Sequence, residues 1–179
     1  MPAESPSRPA IPAGPQGLRG PALVLFAAIL ALGAALRLDQ FTLQVLLDDE
    51  WHAVHQILRR GPASLVLELG HADFGIPLAL YDWALVQTVG LSETAMRVPM
   101  MLCGLATIVL FPLAVAPRIG RAEALAFALL LATSPLLVAF SQVARPYAIN
   151  VVLGWVAHWA FLRYWEGSVR AGAVYAVAT

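Results

Sequence analysis

The chain has 179 residues, 60% of them hydrophobic and only 12% charged, with a formal net charge of zero and a mean hydropathy of +0.75. Average soluble domains are about 45–50% apolar and about 25% charged, so this composition points away from a water-soluble globule and toward a polytopic membrane protein. All 11 basic residues are arginine and form no block suited to nucleic acid, and the single cysteine, Cys103, supports neither a disulfide framework nor a cysteine metal site.

In chain order, residues 1–20 carry Pro2, Pro6, Pro9, Pro12 and Pro15. They lack the apolar surface to fold, which predicts a disordered tail on the cytoplasmic side. Pro21 to Leu38 is the first hydrophobic run, and its length just suffices to cross a hydrocarbon core if Arg37 reaches to the interface. The run is also as short and Ala-rich as a cleaved signal peptide, but the long lead before it and the spans after it favour an uncleaved anchor.

Residues 39–74 differ in kind. They hold Asp39, Asp48, Asp49, Glu50, Glu68 and Asp73, over half of the chain's 11 acidic residues. On a helix, Trp51, Val54 and Leu58 share one face, and Asp48, His52, His55 and Arg59 share another. That pattern suits an amphipathic helix lying along a membrane surface. Gly61-Pro62 ends it, and Ala63 to Leu69 forms a second short helix.

Three more apolar runs follow: Val98 to Pro117, Ala124 to Phe140, and Pro146 to Trp165. Arginines prefer the cytoplasmic side, so Arg8, Arg19, Arg118, Arg121, Arg163 and Arg170 are expected inside. The 39–74 loop and the Ser141–Arg145 junction then lie outside. Ile76 to Leu91, which contains Asp82 and Gln87, would reverse every later segment if it crossed, so it is expected to skim or re-enter the membrane. The last residues begin a new apolar helix, which predicts that 21–179 is the N-terminal part of a longer transmembrane domain. The expected fold is an all-α, polytopic transmembrane bundle with amphipathic interfacial helices in the first external loop.

Two polar knots could carry chemistry. Asp48-Asp49-Glu50 either caps a helix N-terminus, where acids complement the dipole, or supplies a working carboxylate. His52 and His55 could ligate a metal with Asp48 or Asp49, since positions three and four apart meet on one helix face, or they are plain interfacial histidines. Arg145-Pro146-Tyr147 is the second knot. Pro146 opens a helix, and a guanidinium beside a helix N-terminus is a ready phosphate site; the alternative is an ordinary Arg-Tyr interfacial anchor.

Several motifs follow one another in order: Asp49-Glu50, Pro77-Leu78-Ala79-Leu80-Tyr81, Gly90-Leu91-Ser92-Glu93-Thr94-Ala95-Met96-Arg97-Val98-Pro99, Ser134-Pro135, and Ser141 to Ala148. Together they resemble the N-terminal part of the integral-membrane glycosyltransferases that use polyprenyl-phosphate sugars. That group includes the protein O-mannosyltransferases and the aminoarabinose transferases of lipid A. The resemblance spans nearly all of residues 45–165. It departs from the family at Ile76, which stands where a first proline is usual, and in having no acid near Tyr147.

The resemblance implies inverting transfer of a sugar from a lipid phosphate to a lipid, glycan or protein hydroxyl, on the outer face of the cell (inner) membrane. By position, Asp49 is the base candidate and Glu50 its neighbour; Asp48, His52 and His55 are supporting candidates from their place beside these acids, the histidines having no firm counterpart in the family. Arg145 and Tyr147 would meet the donor phosphate. A divalent metal cofactor is left open. Two other classes remain: a transporter whose polar path runs through Asp82, Glu123 and His158, and a non-catalytic membrane scaffold. Without the missing C-terminal part, this stretch alone is expected to be inactive.

Overall fold

The computed structural model describes residues 20–39, 41–43, 46, 48–68 and 75–179; for Asp48, Asp49, His52, Ala53 and Val66 it describes the backbone only. The proline-rich lead, with His71 and Asp73, lies outside the described residues. Among the described residues the structure is all-helical: α1 (Pro21–Leu38), α2 (Asp48–Arg60), α3 (Ser64–Leu67), α4 (Ile76–Gln87), α5 (Glu93–Ile119), α6 (Arg121–Thr133), α7 (Pro135–Gln142), α8 (Tyr147–Trp165) and α9 (Val169–Ala178).

Among the described residues, two helices, α1 and α5, are long and apolar enough to cross a membrane. A third span results if α6 and α7, bent by 53° at Ser134, are counted as one. The bend has a covalent cause: Pro135 has no N–H and cannot continue the ladder of α6. Ser134 then caps α7 by accepting from the Leu137 amide, with Pro135 as its first residue. α8 has 19 residues, but Asn150, His158 and Arg163 dilute its apolar character. α4 has 12 residues, about 18 Å at 1.5 Å per residue, which is too short to cross about 30 Å of hydrocarbon.

Small residues let the central helices approach closely. Phe26 and Ile29 of α1 pack with Ile108 of α5 and with Ala128 and Ala132 of α6. A Cβ on Gly33 would lie 2.8 Å from Ile108 Cδ1 and 3.0 Å from Ala132 Cβ. Small residues at helix crossings are how membrane helices associate when burial from water gives no drive. Outside, Leu23, Val24, Leu25, Leu102, Leu110 and Leu130 are more than half exposed, so the helices turn an apolar exterior outward, as a lipid-facing surface requires.

Arg37 does not reach outward as the sequence predicts. It is fully buried and donates to the carbonyls of Leu131 and Ala132, each at 3.0 Å, as well as to Gly33 of its own helix. Pro135 explains the attraction. The Leu131 carbonyl would pair with the amide of residue 135, which proline lacks, and Arg37 takes that place. The exchange is mutual: Gln142, at the end of α7, donates to the carbonyls of Leu36, Arg37 and Asp39 at the end of α1. The close approach depends on Gly104, where a Cβ would fall 2.0 Å from Ser141 Oγ and 3.3 Å from Arg37 Nε. Gly104→Ala is therefore expected to lower stability by about 1–3 kcal/mol, the usual cost of overpacking. Thermal unfolding in detergent checks this, and Ser141→Gly on the Gly104→Ala background should recover part of the loss.

Candidate functional site

The site begins with a buried carboxylate. Glu50, in the first turn of α2, is 2% exposed. Arg97 of α5 donates to it from two nitrogens, Nη2 at 3.1 Å and Nε at 3.3 Å, and the Ala144 backbone N–H donates to the same carboxylate. Arg97 is itself 1% exposed. A fork of two guanidinium donors suits a carboxylate better than a point charge does. With a backbone donor added, burial of this pair becomes tolerable.

The partners lie 47 and 94 residues along the chain from Glu50. One carboxylate thus ties together the Asp-Glu pair, the Gly-x-Ser-Glu-x-x-x-Arg-x-Pro segment and the Ser-Gln-x-x-Arg-Pro-Tyr-Ala segment. The Pro-Leu-x-x-Tyr segment joins through a second freed carbonyl. Pro99 cannot donate to Ala95, and the Tyr81 hydroxyl donates there at 2.9 Å. Leu78 packs with Met100 and Ala148, which brings α4 against the starts of α5 and α8. Gly90, at φ 87°, closes α4 in a left-handed turn, and Ser92 caps α5 by accepting from the Ala95 amide at 3.1 Å.

The other residues singled out in the sequence fall as follows. Asp48, Asp49 and His52 stand in the first two turns of α2, and their side chains lie outside the described residues. His55 is exposed and stacks on Trp51 with ring centroids 5.7 Å apart. Arg145 and Pro146 form the turn between α7 and α8, where the Tyr147 amide donates to the Arg145 carbonyl at 2.7 Å. Pro146 is the N-cap of α8 rather than its first helical residue. Tyr147 follows, 37% exposed, its ring 4.8 Å from that of Phe140. Among the described residues no group of three His, Cys, Asp or Glu side chains could hold a metal ion.

The expected face of α2 is corrected. Val54 is buried as predicted, but its companions are Glu50 and Ile57, whereas Leu58 is 54% exposed. The buried face is turned by about one residue, roughly 100°. It packs on protein: Val54 meets Leu85 and Met96, and Ile57 meets Leu65 and Ala79.

Sequence reasoning assigned Arg97 no role. The available signal was an arginine at the very start of a long apolar run, where a buried acid is the natural partner. In the sequence Asp82 marks a skimming or re-entrant segment and a possible transport path. It is 2% exposed, and its Oδ1 has no hydrogen-bond partner. It lies on the inward stripe of α4 between Leu78 and Leu85. Burial pushes its carboxyl up to about 7. Burial, with the Asp82 charge adding to it, also raises the neighbouring Tyr81 phenol above its usual range.

Two measurements follow. Arg97→Met leaves the Glu50 carboxylate buried without its cation and should cost about 3–5 kcal/mol; adding Glu50→Gln should restore part of that, a coupling that a double-mutant cycle reads directly. Asp82→Asn tests the second carboxyl. A pKa raised by folding gives stability that is full below the unfolded value near 4 and lost as pH climbs through about 7. The substitution should therefore leave melting near pH 4 almost unchanged and raise it at pH 8, on the order of 5 °C for a chain this size.

No family model, no curated protein and no solved structure matches this chain.

Proposed function

We propose that the chain is part of a membrane glycosyltransferase that moves a sugar from a polyprenyl-phosphate donor to a hydroxyl of a lipid, glycan or protein. The observation that carries this reading is the convergence on Glu50. Motifs that are weak one by one, and far apart in sequence, meet at a single buried carboxylate.

In this reading Glu50 is the positioning residue and Asp49 the base. Glu50 already spends its carboxylate on Arg97 and the Ala144 amide, and it is buried away from an acceptor. Asp49 and Arg145 are the chain neighbours of the Glu50–Ala144 hydrogen bond, each one residue, about 3.8 Å of Cα spacing, beyond it. That nearness of the two backbones along the chain supports pairing a base candidate with a phosphate-binding candidate. The acceptor oxygen attacks the anomeric carbon from the side opposite the phosphate, and its proton passes to Asp49. The bond from that carbon to the phosphate oxygen breaks, and the lipid phosphate leaves with the electron pair. Arg145 and the first amides of α8 then meet its growing charge. Asp48, His52 and His55 are left as supporting residues, and a divalent cation near Asp48 and Asp49 as an open question for chelation experiments.

The resemblance implies a site on the outer face of the membrane. Arg118, Arg121 and Arg163 stand at the far ends of α5 and α8 from it, or at the start of α6, which supports that orientation under the arginine preference for the cytoplasm. The transporter alternative draws less support. Of the three residues named for a polar path, only Asp82 is buried, and Glu123 and His158 are exposed.

The test is transfer by the full-length protein in membranes supplied with a labelled polyprenyl-phosphate sugar. Asp49→Asn should lower the rate by about 10²–10⁴, the usual contribution of a positioned base, with the helical content unchanged. Arg145→Gln should raise the donor concentration needed. Undiminished transfer by Asp49→Asn removes that residue from catalysis, and a lack of transfer with every donor removes the reading.

A further inference from the structure

We propose that the groove between α5, α8 and α9 binds an anionic phospholipid, with one acyl chain along the groove and the phosphate between Arg118 and Arg163. This rests on the helices spanning a membrane and is independent of the transferase reading.

The groove is a cavity of about 430 Å³, within the range of about 300–1,000 Å³ typical of sites for small lipophilic ligands. Leu110 and Ala114 of α5 form one wall, Trp155 and Trp159 the floor, and Val174 of α9 the other wall. Leu110 is 53% exposed and Val174 48%, so the groove opens sideways, out of the bundle, where a spanning protein meets hydrocarbon.

Its floor is fixed. Trp155 stacks on Phe111 with centroids 4.2 Å apart, and the Trp159 ring lies 6.3 Å from that of Trp155 with nearly parallel planes. Aromatic rings held by their neighbours keep a groove open that flexible side chains would fill.

Charge selects the headgroup. Arg163 is the one charged residue in the lining. The Arg118 guanidinium sits over the Trp159 ring at 4.1 Å, which places a second cation at the same end. Arg170 adjoins Ala171, another lining residue. Against these three stands Glu166, 3.6 Å from Arg163, with both side chains more than half exposed. An exposed pair of that kind contributes little. Arg121 and Glu123, at the nearby start of α6, balance each other in sign. The end of the groove is thus net positive, next to a fixed aromatic ring and an apolar trough. A phosphate diester with an acyl chain complements all three; a zwitterionic headgroup brings its own cation into an already positive corner.

The tryptophans make the site self-reporting. The protein is reconstituted into vesicles containing, at equal mole fraction, either phosphatidylglycerol or phosphatidylcholine with brominated acyl chains. Tryptophan emission is then compared. Stronger quenching by the anionic lipid is expected, with a preference of about fivefold per arginine, the size of one basic side chain's attraction to an anionic surface. The Arg118→Gln/Arg163→Gln variant should lose the preference while keeping its helical circular dichroism. Ala114→Phe, which fills the trough and leaves both arginines, should reduce quenching of the groove tryptophans by both lipids. Equal quenching by the two lipids in the wild type overturns the proposal. So does a preference that survives the double substitution. Quenching by neither lipid means that protein, a second copy or another chain, covers the groove, and that also overturns it.

Discussion

The arrangement at one end of the bundle depends on the carboxylate of Glu50 being held on two sides at once. A buried carboxylate is tolerated only with a cation and hydrogen-bond donors around it, and Arg97 and the Ala144 amide supply both. The consequence is geometric. The start of α2 is fixed to the start of α5, and both are fixed to the elbow between α7 and α8. Shifting any one of them exposes a charge to a low-dielectric interior. The site therefore does not rest on apolar packing alone, which tolerates rearrangement; it rests on a polar contact that is costly to leave half-made.

A second rule recurs through the structure: a proline frees a carbonyl, and a distant side chain takes it. Pro99 frees Ala95 and Tyr81 answers; Pro135 frees Leu131 and Arg37 answers. In water such carbonyls would be solvated, and a conservative exchange would pass unnoticed. At membrane depth every backbone polar group needs an internal partner, so the bend and its distant donor belong together. Arg37 and Gln142 serve the same crossing from two sides: Gln142, at the end of α7, caps α1, and Arg37, near the end of α1, caps α6.

The same rule explains what the sequence shows and what it hides. The ends of α1 are legible from Pro21 and the change to acidic residues after Leu38; the run Ala124 to Phe140 reads as one segment, and Ser134-Pro135 breaks it into α6 and α7. These signals are local. The buried face of α2 was not legible, because periodicity counts Glu50 as polar and turns it outward; only Arg97, 47 residues away, makes it an inward residue. Arg37 was misread for the same reason. An arginine at the end of an apolar run ordinarily reaches for water, and two of its actual partners are the Leu131 and Ala132 carbonyls at the bend before Pro135, about 95 residues on. Of the candidate site, residue identities and their order were visible in the sequence. Their meeting was not, since it is a fact of tertiary structure.

The two buried carboxylates of this end show how far context decides chemistry. Glu50 is surrounded by donors and acts as a tether. Asp82, on the inward stripe of α4, has a buried oxygen with no donor, and its burial pushes it up to about 7. Near neutral pH Asp82 is close to its midpoint, whereas the Glu50 carboxylate is held by Arg97 and the Ala144 amide. A fold that needed only stability would gain from an apolar residue at position 82. A carboxyl there, beside Tyr81 on α4, gives up stability above neutral pH for want of the donors that surround Glu50.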